Sequence, residues 1–305
     1  MAKIGRIGLD LGGTKIAGLL LDASGRPLAE KRIQSPRDDY RATLDALVAL
    51  VKDLENQSGC RASVGLGIPG SLSPATGLVK NANSTWLIGR PLDQDLSGLL
   101  RRPVRLDNDA NCFALSEAID GAAAGLPVVF GVILGTGVGG GLVVDQKVLK
   151  GLDAVTGEWG HNPLPRMTDA ERPGPSCYCG RNGCNETFLS GPALAGDAGA
   201  GCAVEVVKRA EQGDPDAQAA LARHLERLAR ALAGVINLLD PHAIVLGGGL
   251  SKMPQLYQQL PGQLAPHVFS DRVMTPILPP RFGDASGVRG AAWLWPEAEL
   301  EAGLG

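Results

Sequence analysis

Three of the six cysteines lie within the eight residues CYCGRNGC, from Cys177 to Cys184, and His161 precedes them in GEWGHNPLP. Thiolates and an imidazole are the ligands that a closed tetrahedral zinc site uses. The set His161, Cys177, Cys179 and Cys184 makes a Cys3His site. Four protein ligands leave no open position for a catalytic water, so the Zn2+ it implies is structural. The C-x-C-x4-C spacing is not that of a zinc finger, and no fourth cysteine stands near enough to complete an iron–sulfur centre. Cys60, Cys112 and Cys202 are scattered among small or apolar neighbours and read as core residues.

Two carboxylates flank the cluster: Glu158 comes just before His161 and Glu186 just after Cys184. A metal that clamps these two segments would hold both carboxylates still. Each could then accept hydrogen bonds from a pair of adjacent hydroxyls, which suits a polyhydroxyl substrate. A second polar concentration, RLDNDANC, places Asp107, Asn108, Asp109 and Asn111 at the end of an apolar run. One of them could serve as a helix N-cap, but one cap does not account for all four. A phosphotransferase needs a carboxylate that accepts a hydroxyl proton while the oxygen attacks phosphorus in line. Asp109 is the expected base and Asn108 an expected sugar hydrogen-bonder.

The third kind of chemistry is phosphate binding. Glycine turns follow strand-like runs at Gly12-Gly13-Thr14-Lys15, Gly135-Thr136-Gly137 and Gly247-Gly248-Gly249. Glycine lets a backbone approach closely and aim its N–H groups at phosphate oxygens. None of the three fits a Walker A loop. GTGVGG (135–140) fits G-x-G-x-x-G but runs into the strand-like GLVVD, whereas a dinucleotide fingerprint opens a helix. A dehydrogenase is disfavoured on that context.

The elements that must carry these residues alternate between strand and helix. IGRIGLDL and IAGLLLD read as strands around the first glycine turn, and VFGVIL and GLVVD repeat the plan about 125 residues later. Helices are expected over 41–55, with Leu44, Leu47, Val48, Val51 and Leu54 on one face, and over 110–120. A long one is expected over 215–239, opened by Asp214-Pro215 and lined by Leu221, Leu225, Leu228, Leu232, Ile236 and Leu239. The pattern argues for α/β architecture in two domains. The chain has 305 residues, 44% hydrophobic and 20% charged, with a net charge of −3, so no electrostatic footprint for nucleic acid is present. No apolar run reaches the roughly 18 residues of a membrane span. The start enters a strand-like pattern at once, and a cytoplasmic protein without membrane or nucleic-acid partners is expected.

Together these motifs resemble the ROK family of bacterial sugar kinases. GEWGHNPLP and CYCGRNGCNETF carry the resemblance, with DLGGTK, GIPG, NDANC and LGTGVGGG, across essentially the whole chain. It implies two actin-like (ribonuclease H-like) ATPase domains around a central cleft. The small domain would comprise 1–117 plus 286–305, rejoined through a last helix, VRGAAWLWPEAE. The large one, 118–285, would carry the zinc-bound sugar-clamp loop. It further implies ATP, Mg2+ and a hexose as ligands, in a homodimer, with phosphorylation at the 6-hydroxyl. Gly70, Asn83, Asn108, Asp109, Glu158, His161 and Glu186 would serve the sugar, His161 through the ring nitrogen not bound to zinc. DLGGTK, GTG and VLGGGLS would serve the nucleotide, with Asp10 close to Mg2+. Within the family, SLSPATGLVKNANSTWLIGRPLDQDL and SGVRGAAWLWP look most like fructokinases that also accept mannose. RLDNDANCFALSEA and VILGTGVGGGL look as much like N-acetylglucosamine kinases. Fructose is the favoured substrate on the expectation that Asn83 and Trp86 line the sugar pocket, the indole filling the space of an N-acetyl group. N-acetylglucosamine kinase is the alternative, and a sugar sensor without catalysis the reading from another class.

Overall fold

The computed structural model describes residues 4–305. Its strands are β1 (Ile4–Leu11), β2 (Lys15–Asp22), β3 (Pro27–Gln34), β4 (Arg61–Ile68), the two-residue β5 (Ser71–Leu72) and β6 (Val79–Lys80), β7 (Val104–Asn108), β8 (Val128–Leu134), β9 (Val138–Val144), β10 (Lys147–Val148), β11 (Ala243–Gly247) and β12 (Ile277–Leu278). Its helices are α1 (Tyr40–Ser58), α2 (Leu92–Leu100), α3 (Asp109–Ile119), α4 (Glu186–Leu189), α5 (Gly191–Asp197), α6 (Ala203–Glu211), α7 (Pro215–Leu239), α8 (Gln255–Gln258), α9 (Leu260–Leu264) and α10 (Ser286–Trp293). No helix among the described residues is long and apolar enough to cross a membrane.

The chain divides into two compact units, one ending its first stretch at Ala124 and adding Lys147–Thr156 and Ala285–Gly305, the other comprising Gly125–Gln146 and Gly157–Asp284. The expected boundary after residue 117 falls inside α3, and the segment 147–156 goes with the first unit.

In the first sheet the order is β3-β2-β1-β4-β7, with β1–β2 and β2–β3 antiparallel and β1–β4 and β4–β7 parallel. The second sheet runs β10-β9-β8-β11-β12, again with an antiparallel hairpin (β8–β9) beside parallel β8–β11 and β11–β12. Counting each sheet's own strands, both read third-second-first-fourth-fifth. The repeated strand–glycine–strand pattern in the sequence is thus a repeated sheet plan.

Helix ends follow local chemistry. Asp214 caps α7 by accepting from the Asp216 and Ala217 N–H groups, and Pro215 occupies the first turn, where a missing N–H costs nothing. Leu221, Leu225, Leu228, Leu232 and Ile236 are buried, but the expected Leu239 is 36% exposed because the helix stops there. Gly8 on β1 and Gly65 on β4 let α10 lie directly on the sheet: a Cβ on either would sit 1.9 Å from a carbonyl oxygen of that helix. The C-terminal helix ends at Trp293 rather than running through PEAE, as expected of a chain with Pro296 ahead. Cys60 and Cys112 are buried, while Cys202 is exposed, contrary to its reading as core; it sits at the N-terminal boundary of α6.

Candidate functional site

The base candidate stands at the corner where β7 meets α3. Parallel pairing aligns Asn108 with Ile68 at the end of β4. Asn108 is the N-cap of α3, its side-chain oxygen accepting from the Ala110 N–H at 2.9 Å and its amide donating to the Gly70 carbonyl at 3.1 Å. The capping function read from the sequence therefore belongs to Asn108, which is also the expected sugar ligand. Asp109, exposed, begins the helix and accepts from Ala110 N–H at 2.8 Å. A helix N-terminus is a favourable place for an acidic side chain. Gly70 permits close approach of the next loop, since its Cβ would lie 2.8 Å from Ala82 Cβ. The Asn83 N–H donates to the Pro69 carbonyl at 3.0 Å. Gly70, Asn83, Asn108 and Asp109 are thus linked at one end of the first sheet.

Trp86 does not behave as expected. Its indole N–H donates to Thr43 Oγ1 on α1 at 3.2 Å, and its ring packs against the first unit's core. Packing accounts for this residue.

Gly12, Gly13 and Thr14 form the turn of the β1–β2 hairpin, with Gly13 and Thr14 exposed and Lys15 opening β2. Asp10 lies near the end of β1. Burial pushes its carboxyl up to about 6, against the pull of Arg32. A Cβ on Gly287 of α10 would come 3.6 Å from Asp10 Oδ2. A half-buried carboxylate beside an open glycine turn suits a divalent cation that bridges phosphates.

Gly135, Thr136 and Gly137 form the corresponding turn of β8–β9. Here a second element grips the turn. Glu186 Oε2 accepts from the Val138 N–H at 2.9 Å, and a Cβ on Gly137 would come 2.6 Å from the same oxygen. The Gly191 N–H, at the start of α5, donates to the Gly135 carbonyl at 2.8 Å. Gly247 ends β11; Gly248 needs its left-handed φ of +79° and its bare Cα, since a Cβ would meet Leu134 O at 2.4 Å. Gly13, Gly135 and Gly249 have no atom within 4 Å of where a Cβ would be, so these backbones face open space.

The four expected metal ligands come together: one ligand atom from each of His161, Cys177, Cys179 and Cys184 lies within 4.8 Å of the others. His161 Nδ1 is 3.5 Å from Cys177 Sγ, and Cys179 Sγ is 3.6 Å from Cys184 Sγ. Tetrahedral zinc with bonds of about 2.0–2.3 Å sets neighbouring ligand atoms roughly 3.5–3.8 Å apart, so the donor set fits the ion. Nδ1 is the nitrogen turned to the thiols. Nε2 lies 2.9 Å from the Tyr178 hydroxyl, where a sugar contact was expected. Tyr178 was missed by the sequence reading; its only signal is its place between two ligand cysteines. Glu158 is exposed and precedes the Trp159–His161 turn, which buried Trp159 anchors by donating to Gly139 O at 2.9 Å. The same sequence reading missed an ion pair at the corner, Lys150 with Asp107 at 2.9 Å.

The ROK family model matches residues 6–298. The chain belongs to the ROK family. The N-acetyl-D-glucosamine kinase of Shigella boydii is 45% identical over 297 residues, covering 94% of this chain and 98% of the relative. Among solved structures, a ROK hexokinase from Thermus thermophilus aligns with a TM-score of 0.84 at 31% identity, over 95% of this chain and 97% of that one. A ROK glucokinase from Streptomyces griseus, solved with glucose and AMPPNP, aligns at 0.78 and 28%, over 95% and 98%. The two sheets form the actin-like ATPase fold of this family.

Proposed function

We propose that the chain is an ATP-dependent sugar kinase that phosphorylates N-acetyl-D-glucosamine at its 6-hydroxyl. The observation that carries the substrate is the 45% identity to an N-acetyl-D-glucosamine kinase over 94% of the chain. Fructose, favoured by the sequence reading, rested on stretches such as SLSPATGLVKNANSTWLIGRPLDQDL resembling fructokinases and on Trp86 filling the N-acetyl space, and that indole is engaged with Thr43 in the first unit.

In this reading Asp109 accepts the proton of the 6-hydroxyl as its oxygen bonds to the γ-phosphorus. The bond from that phosphorus to the β–γ bridging oxygen breaks, and ADP leaves. Exposure of Asp109 at a helix start makes it accessible to the incoming hydroxyl. Asn83, Asn108, Glu158 and Glu186 would accept or donate to sugar hydroxyls, and His161 would serve the sugar only where a hydroxyl displaces Tyr178 from its Nε2. The glycine turns offer N–H groups to the phosphates, and Asp10 would hold Mg2+, which neutralises phosphate charge. His161, Cys177, Cys179 and Cys184 would hold one structural Zn2+, supported by the spacing of their donor atoms.

The test is coupled ADP release with N-acetylglucosamine, glucose, mannose and fructose. The highest kcat/KM is expected for N-acetylglucosamine. A higher value for fructose would return the substrate to the first reading, and no release with any sugar would favour a sensor.

A further inference from the structure

Asp107, the residue before the N-cap of α3, is only 7% exposed. Its Oδ1 accepts from Asn108 N–H and from Asn111 Nδ2, each at 2.8 Å. Its Oδ2 receives no hydrogen bond within the chain's own network, but the Lys150 ammonium lies 2.9 Å away as an ion partner. Lys150 lies on the segment 147–156, which packs with the first unit. A second bond fastens that segment there, from Lys80 Nζ to the Asp153 carbonyl at 2.6 Å.

We propose that Lys150 is a positioning residue for phosphotransfer: it fixes Asp107, which fixes the corner that presents Asp109. The proposal rests on the kinase reading above. Removing the ammonium leaves a nearly buried carboxylate oxygen without its counter-charge, a costly state that the corner relieves only by shifting or admitting water. Asp107 holds both the Asn108 backbone and the Asn111 side chain, so a shift there moves the residues on either side of the base. Misplacing a catalytic group by about 1 Å can cost on the order of 100-fold in rate. Losing one anchor among several is expected to cost about tenfold in kcat.

The full chain is assayed as Lys150→Met, Lys150→Arg, Asp107→Asn and the double variant Lys150→Met/Asp107→Asn. Lys150→Met should lose about tenfold in kcat with KM for the sugar within about threefold, and Lys150→Arg should recover most of the loss. In the Asp107→Asn background the same Lys150→Met change should cost less than about twofold, because the two residues act as a unit. A full effect persisting in that background means that Lys150 acts directly on substrate and overturns the proposal, as does wild-type kcat in Lys150→Met. Amide hydrogen exchange over 107–112 gives a readout independent of turnover. It should quicken in Lys150→Met, and unchanged exchange overturns the proposal even for a chain that phosphorylates no sugar, an outcome that would separately sink the kinase reading.

Discussion

The β7–α3 corner and the segment from Gly157 to Asn185 both carry polar groups that the proposed function assigns to a sugar, yet they are built by different means. The corner is regular structure: a strand in parallel register, an N-cap and the first turn of a helix. The other segment holds one three-residue turn and two isolated bridges, Pro163 with Cys184 and Ser176 with Asn182. Backbone ladders aim Asp109, whereas Glu158 and His161 sit on a short turn that Trp159 anchors to Gly139 and that meets the thiols through His161. The largest expected effect therefore follows metal removal. Structural zinc is worth on the order of 10 kcal/mol in small zinc domains. Chelation, or Cys184→Ser, should release one zinc per chain and open 158–186 to proteolysis while the β7–α3 corner keeps its slow amide exchange. Full protease resistance in protein shown by mass spectrometry to be metal-free would end the comparison.

Next in size is the corner's own chemistry. Asp109→Asn preserves shape and most hydrogen bonding but removes the proton acceptor. General-base catalysis contributes about 10²–10⁴-fold, so kcat should fall by at least about 100-fold with KM for the sugar little changed. Retention of more than about a tenth of wild-type kcat would place the base elsewhere.

What the sequence disclosed follows the same division. Local signals carried the regular parts: Asp214-Pro215 marked the start of α7, and the glycine turns marked two hairpins that belong to one repeated sheet plan. The thiol spacing pointed to four side chains that do come together, because a metal site constrains residue type so tightly. What stayed hidden depends on contacts distant in sequence. Trp86 meets Thr43 across 43 positions and Glu186 meets Val138 across 48, and nothing in either motif announces the partner. Lys150 reaches Asp107 from a segment without a motif, and Cys202 looked like a core residue only because its neighbours are small.

A third effect separates the two regions by pH. Asp10, on the sheet that carries the corner, is half-buried, whereas Glu158 is exposed. The folded-state value for Asp10, about 6, lies above the ordinary value of 3.8, so the folded chain binds this proton more tightly than the unfolded one. Stability is then lost as pH rises from about 4 to about 6, and the deficit is complete above that window. In protein free of nucleotide and Mg2+, Asp10→Asn should be neutral near pH 3.5 and stabilising by up to about 3 kcal/mol near pH 7.5. Urea unfolding at both values decides it, and equal changes at the two would refute the burial argument.

The smallest effect tests the proposed clamp and leaves the four proposed zinc ligands untouched. Glu158→Gln keeps the backbone carbonyl that accepts from the His161 N–H at 3.2 Å, so the turn and the ligand histidine stay in place. What goes is the charge on an exposed carboxylate, and with it the strength of bonds from neighbouring sugar hydroxyls. Hydrogen bonds to charged groups contribute about 1.5–3 kcal/mol, and the neutral amide still accepts, so a loss nearer 1 kcal/mol is expected. That corresponds to a KM about three- to tenfold higher for the sugar, with kcat within about twofold and zinc content unchanged. Asp109→Asn should show the reverse split. If Glu158→Gln lowers kcat and leaves KM alone, the clamp carboxylate takes part in the chemical step, and the contrast between a corner that reacts and a segment that holds is wrong.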